Sequence, residues 1–200
     1  MNKYFTVFGA VLLVIVSVIV VMRFTSPEDT WICTNYQWVK HGNPSSLPPI
    51  SGCEFNLKNA SFTIDGQMVT LINGVSEIEA APGSASKITT RYFGNEAKGD
   101  LTGDGLEDIA FLVTQDGGGS GLFYYAVVAI KTADGYKTTS AFLIGDRIAP
   151  QTTEIRADSR ELYVNFAERN PGEPMTTQPS LGVTLFLKVT SDGILEGLMQ

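Results

Sequence analysis

The sequence predicts a mainly β protein, with an N-terminal transmembrane helix followed by an antiparallel β-sandwich or partly open barrel. Three observations predict it. Residues 4–22 carry no charge at all. Beyond Glu54 the apolar residues recur with a period of two, and no later stretch holds a 3.6 period over about eleven residues. Gly/Asp and Gly/Asn dipeptides punctuate the alternating runs, as tight turns between strands require. The expected organisation is a signal anchor over 1–23, a linker over 24–30 and an extracytoplasmic β domain over 31–200.

Residues 4–22 read YFTVFGAVLLVIVSVIVVM. At 1.5 Å per residue such a helix is about 28 Å long, close to the ~30 Å of a bilayer's hydrocarbon core. Lipid favours a helix here despite the β-branched residues, because each backbone N–H and C=O must find its partner inside the segment. A cleaved signal peptide is the alternative reading. The run is longer than a usual signal core, however, and Val20, Val21, Met22 and Arg23 offer no small-residue cleavage site. The expectation is therefore a single uncleaved pass through the cytoplasmic membrane.

Cys33 and Cys53 are the only cysteines, and they flank a loop rich in Pro, Gly and Ser. Such a pair just past an anchor points to a disulfide in an oxidising compartment, with two buried thiols as the alternative. Closing the loop would contribute roughly 3 kcal/mol through the entropy of the unfolded chain. The β domain is thus expected outside the cytoplasm.

Within that domain, residues 31–39 read as a short strand and 41–52 as an irregular loop. FTIDGQMVTLI places Asp65-Gly66 between two alternating runs, a strong hairpin signal. Asn73-Gly74 is a second turn, residues 81–86 form a loop, and KITTRYF returns to strand. Further strands are expected over 108–114, 122–131, 136–144, 153–157, 161–166 and 181–189.

The motif that carries chemistry is DLTGDGLED, residues 100–108. Its oxygens can converge on a hard cation: Asp100, Thr102 and Asp104 by side chain, Leu106 by its carbonyl and Asp108 by a further carboxylate, with Gly105 permitting the reversal. Calcium is the ion such a donor set suits, in a structural role. The competing reading is a tight turn whose carboxylates cap backbone N–H groups. An EF-hand needs a glutamate at position 12, where this chain has Phe111, and a strand rather than a helix is expected to follow. In these respects the segment resembles the calcium loops of FG-GAP propeller blades and, more loosely, dockerin-type loops. The resemblance implies calcium ligation at the residues named. It does not carry a propeller fold, since only one copy is present.

Longer stretches, WICTNYQWVKHGNPS, APGSASKITTRYFGNEAKGDLTGDGLEDIAFLVTQDGGGSG, LIGDRIAP and NPGEPMTTQPS, resemble a recurring type of bacterial membrane-anchored envelope protein. That resemblance implies an anchored, secreted architecture and supplies no activity.

Charge and residue inventory narrow the function. Setting aside Lys3 and Arg23 leaves 12 basic against 21 acidic residues, about −9, which argues against nucleic acid as a partner. The single histidine, His41, sits in the Pro/Gly-rich loop and offers no nucleophile–base pair. GGGSG over 117–121 is followed by Leu122 rather than completing a nucleophile elbow, and no GK[ST] follows it. Asp146, Glu154, Glu168 and Glu173 are candidates for a glycoside-cleaving carboxylate pair. The leading expectation is a non-catalytic, calcium-stabilised module that binds an envelope or extracellular partner. The alternatives are an envelope glycan or peptide hydrolase and a structural subunit of a surface assembly.

Overall fold

The computed structural model describes residues 29–34, 37–50 and 55–198. Apart from one 3₁₀ turn, Leu57–Asn59, every regular element among them is a strand. The helix expected over 4–22 lies outside the described residues, and among those described no helix is long and apolar enough to cross a membrane.

The chain divides into two units. The described residues of the smaller are 29–32 and 38–50, and in place of the single strand expected over 31–39 the chain forms two, β1 (Thr30–Thr34) and β2 (Gln37–His41), paired as a two-stranded sheet. The loop that follows is tied back by polar contacts. The Trp31 indole N–H donates to the Ser46 carbonyl at 2.8 Å, and the Asn43 N–H donates to Asp29 Oδ1 at 2.8 Å. The Lys40 ammonium lies 5.7 Å from the centre of the Trp31 ring.

The larger unit holds three layers. The first is the hairpin of β3 (Ser61–Ile64) and β4 (Gln67–Thr70), turned by Asp65-Gly66 as the sequence predicts. Both turn residues have positive φ, at 49° and 80°, the backbone a two-residue hairpin loop demands. The second layer is a six-stranded antiparallel sheet of β5 (Val75–Glu79), β6 (Lys87–Gly99), β7 (Asp108–Asp116), β8 (Phe123–Thr132), β9 (Gly135–Thr138) and β10 (Phe142–Asp146). Its order is β10-β8-β7-β6-β5, with β9 pairing the other stretch of the β8 edge that β10 uses. The third layer runs β11-β12-β13-β14, from β11 (Ala149–Arg156) through β12 (Glu161–Glu168) and β13 (Leu181–Val189) to β14 (Leu195–Gly197).

The strand expected over 136–144 is broken in two. Buried Thr139 bonds Val128 twice, its N–H to the carbonyl at 2.8 Å and its hydroxyl oxygen from the N–H at 3.1 Å. The chain then leaves the β8 edge, and the Ala141 N–H donates to Thr63 of the hairpin at 2.8 Å.

β7 and β8 form the middle of this stack, and they are apolar on both faces. Ile109, Phe111, Val113, Tyr125 and Val127 pack on Phe62, Ile64, Val69 and Leu71 of the hairpin side. Ala110, Leu112, Ala126 and Val128 pack on Leu162, Val164, Phe166 and Leu187 of the third layer. The continuous runs IAFLV and YAVVAI thus mark strands without a solvent face. Strict alternation holds in β12, where inward Leu162, Val164 and Phe166 are buried and Tyr163 and Asn165 are not.

β6 curls the assembly. Its pairing with β7 shifts register between Tyr92 and Gly94 and again between Gly94 and Ala97, where Gly94 and Asn95 have φ of 104° and 48°. Past this bulge the strand runs beside β11. Asn95 Nδ2 donates to the Gln151 carbonyl at 3.4 Å, and a Cβ on Gly99 would sit 2.8 Å from Ile155 Cγ2. The architecture therefore lies between the two predicted forms, with stacked sheets and a curled, half-barrel-like edge.

Because both faces of β7 are buried, Phe111→Ala and Leu112→Ala should each lower the unfolding free energy of the full chain by about 2–5 kcal/mol. Urea denaturation checks this. A near-neutral effect at either position would mean that one face of the strand is solvated.

Candidate functional site

The predicted ion-binding segment connects β6 to β7. Gly103 and Gly105 both adopt φ of +81°, which lets the chain reverse twice within a few residues. Asp100 accepts the Gly103 N–H on Oδ1 at 2.5 Å and the Gly105 N–H on Oδ2 at 2.9 Å. Asp104 Oδ1 accepts the Leu106 N–H at 2.9 Å. Leu106 itself is exposed, and the Thr102 hydroxyl oxygen is buried with no hydrogen-bond partner among the described residues.

Asp108 behaves differently. It is completely buried, and its Oδ2 accepts the Leu101 and Thr102 N–H groups at 2.9 and 3.1 Å. Its Oδ1 accepts the Lys131 N–H on β8 at 2.9 Å. The carboxylate is turned into the protein, where it ties both ends of the loop to the central sheet. Among the described residues no three His, Cys, Asp or Glu side chains form a group able to hold a metal.

Asp100 is held below the usual carboxylate range, chiefly by the Gly105 N–H and against the cost of desolvation. The Gly103 and Asp104 N–H groups and the nearby Arg160 charge add to the effect.

Of the predicted cysteine pair, Cys33 lies buried on β1, while Cys53 lies outside the described residues. Three of the four candidate carboxylates have separate local partners. Asp146 is gripped through both oxygens by Arg147, at 3.0 Å from Nε to Oδ2 and 2.5 Å from Nη2, and its Oδ1 accepts the Leu122 N–H at 2.9 Å. Arg147 lowers the Asp146 pKa, burial opposes the shift, and the Leu122 N–H and Arg169 assist. Glu154 pairs with Arg156 at 3.1 Å, Glu173 accepts the Asn170 N–H within its own loop at 2.9 Å, and Glu168 ends β12. The 169–180 loop is held from inside. Arg169 donates from Nε to the Thr177 carbonyl at 2.6 Å and from Nη1 to that of Arg147 at 2.9 Å.

A site that sequence reasoning missed lies on the hairpin side of the central sheet. It is a cleft of about 420 Å³, walled by the 3₁₀ turn, the bulge of β6 and the start of β9. Phe55 and Tyr136 stack with ring centres 4.6 Å apart, and the Lys131 ammonium lies 4.5 Å over Tyr136. The Lys58 ammonium lies 5.7 Å over Tyr92, whose ring also leans on Phe111 in the core at 6.0 Å. The Tyr92 hydroxyl donates to Glu96 Oε1.

That last contact depends on the bulge. In a regular strand, residues 92 and 96 would be about 13 Å apart, beyond the reach of these side chains. The extra residues at Gly94-Asn95 shorten the path and turn Glu96 back toward Tyr92. Burial pushes the Tyr92 phenol strongly up, and the hydrogen bond and charge of Glu96 push the same way. The signal in the sequence was the isolated Gly-Asn inside RYFGNEAKG, which marks a bulge within a strand.

No known protein family, curated protein or solved structure matches this chain. The residues and their geometry carry the functional argument.

In a spectrophotometric titration Tyr92 should remain protonated beyond about pH 11, and Glu96→Gln should bring its ionisation down toward the usual ~10. An unchanged Tyr92 midpoint in the variant would remove Glu96 as a cause. Stability follows by linkage. Tyr92 is raised in the fold, so its contribution is complete below pH ~10 and declines as pH climbs above that. Asp100 and Asp146 are lowered, so theirs is complete above pH ~4 and is lost as the medium acidifies below it. Melting curves across pH should therefore fall at both ends.

Proposed function

We propose that this chain is a membrane-anchored, non-catalytic binding module of the cell envelope, with the β6-bulge cleft as its ligand site. A single pass over residues 4–22 holds it in the cytoplasmic membrane, and the β domain stands outside the cytoplasm, where Cys33 and Cys53 pair.

The observation that carries this reading is the make-up of the cleft. Its volume falls within the range of small-molecule sites, about 300–1,000 Å³. Its lining joins the aromatic rings of Phe55, Tyr92 and Tyr136 to the hydrogen-bonding side chains of Asn56, Lys58, Glu96 and Lys98. The charged groups of that lining each have a neighbour: Glu96 receives the Tyr92 hydroxyl, Lys98 lies 3.9 Å from Glu107, and Lys58 rests over the Tyr92 ring. A cleft that joins aromatic rings to donors and acceptors suits a hydroxyl-rich ligand. Among the components of an envelope, a neutral glycan segment has that chemistry.

The hydrolase reading draws less support, because Asp146, Glu154 and Glu173 are each committed to a local partner.

Calorimetric titration of the full chain in detergent with a neutral N-acetylhexosamine tetrasaccharide tests the module. Saturable binding is expected, weakened at least about tenfold, or 1.4 kcal/mol, by Tyr136→Ala and left unchanged by Asp104→Asn. Absence of binding by the wild type, or equal binding by Tyr136→Ala, would sink the cleft reading. The placement is tested separately, by alkylating the denatured, unreduced chain isolated from its native membrane. No labelled cysteine is expected, and two labelled cysteines would remove the argument for an oxidising compartment.

A further inference from the structure

We propose that the 100–108 loop folds without a metal ion, with Asp108 as its internal staple and the Arg160 guanidinium supplying the positive charge that a loop of this pattern otherwise takes from a cation. This is independent of the cleft.

Asp108 is completely buried and bonded to three backbone N–H groups, two in the loop and one on β8. An ion reaching it would have to displace those donors and open the packing around them. The Leu101 N–H would then be left buried without an acceptor, and the part-buried N–H groups of Thr102 and Lys131 would lose theirs. Both oxygens of Asp100 and one of Asp104 already accept loop N–H groups. Position 12, which completes a calcium cage in the helical version of the motif, is Phe111, fully buried in the hairpin-side core.

What remains is the like-charge repulsion of Asp100 and Asp104. Arg160 answers it from the turn between β11 and β12. A Cβ built on Gly103 would lie 2.2 Å from Arg160 Cζ and 2.3 Å from Nε, so the guanidinium is laid directly on this glycine. Gly103 is therefore required twice, for its φ of +81° and for the room it leaves the arginine. Arg160 itself sits at φ +54°, a left-handed conformation uncommon outside glycine, and this backbone feature accompanies the placement of its side chain. The guanidinium is solvent-exposed, so its effect on the loop is modest and salt-sensitive.

The test is a set of thermal melts of the full chain in detergent, with ~5 mM calcium or with chelator, concentrations spanning the weak end of calcium modules. The wild type should melt at the same temperature in both, within about 1 °C. Arg160→Gln should melt lower than the wild type by the same amount in calcium and in chelator, while Arg160→Lys should stay close to the wild type in both. Asp108→Asn should melt lower by the same amount in both media. A wild-type rise of more than about 3 °C with calcium, abolished by Asp104→Asn, would overturn the proposal and restore a calcium-stabilised loop. An Arg160→Gln chain that matches the wild type in both media would overturn the role of Arg160. Should Arg160→Gln fail to fold, calcium titration of the wild type decides. No saturation up to ~10 mM supports a metal-free loop, and a Kd below about 1 mM overturns it.

Discussion

A strand that is apolar on both faces cannot meet water on either, and the larger unit is arranged around that constraint. β7 and β8 supply the interior residues of two separate cores, so each needs a cover on both sides. The β3–β4 hairpin covers one face, and the β11–β14 sheet covers the other. Fully burying a large apolar side chain is worth about 1.5–3 kcal/mol, and Phe111, Leu112, Val113, Val127 and Val128 all reach that limit. The hairpin alone would be marginal in water. It persists because the central sheet offers it an apolar face, and that same seat forms one wall of the cleft.

β6 shows how one irregularity serves two ends. The paired register shifts at Gly94-Asn95 bend a strand that is otherwise the longest in the fold. On the third-layer side, the bend lays the strand beside β11 and closes the edge of the stack. On the hairpin side, it turns Glu96 toward Tyr92 and gives the cleft its polar rim. A straight β6 would leave the sheets open and the cleft without its carboxylate. Curvature and site are thus consequences of the same two residues.

Much of the fold was legible in the sequence, because turns and alternation are local signals. Asp65-Gly66 announced a hairpin that the structure contains, and the strands around 108–114, 161–166 and 181–189 fall where alternation or apolar runs placed them. The layering was not legible. IAFLV and YAVVAI carry no periodicity that says which partners cover them, and the break at Thr139 depends on a hydroxyl meeting Val128 eleven residues away. The site followed the same rule. DLTGDGLED declared a turn rich in carboxylates, but whether Asp108 faces an ion or the protein depends on Lys131 of a neighbouring strand. Phe55, Tyr92, Glu96 and Tyr136 stand apart in the chain, and only the fold brings them to one cleft.

The Asp108 carboxylate has a further consequence, in how the molecule opens. Its three donors belong to both ends of one hairpin: Leu101 and Thr102 enter it, and Lys131 leaves it on the far strand. The tip of the loop, where the Gly103 and Gly105 amides bind a half-buried Asp100, can come undone without disturbing the central sheet. The base cannot, since releasing Leu101 also frees the end of β8. Solvent hydrogen should therefore reach the two glycine amides through small local fluctuations, and the Leu101 and Lys131 amides only when the two central strands part. A single buried carboxylate so divides one nine-residue loop between two cooperative units, a fraying tip and a base that unfolds with the core.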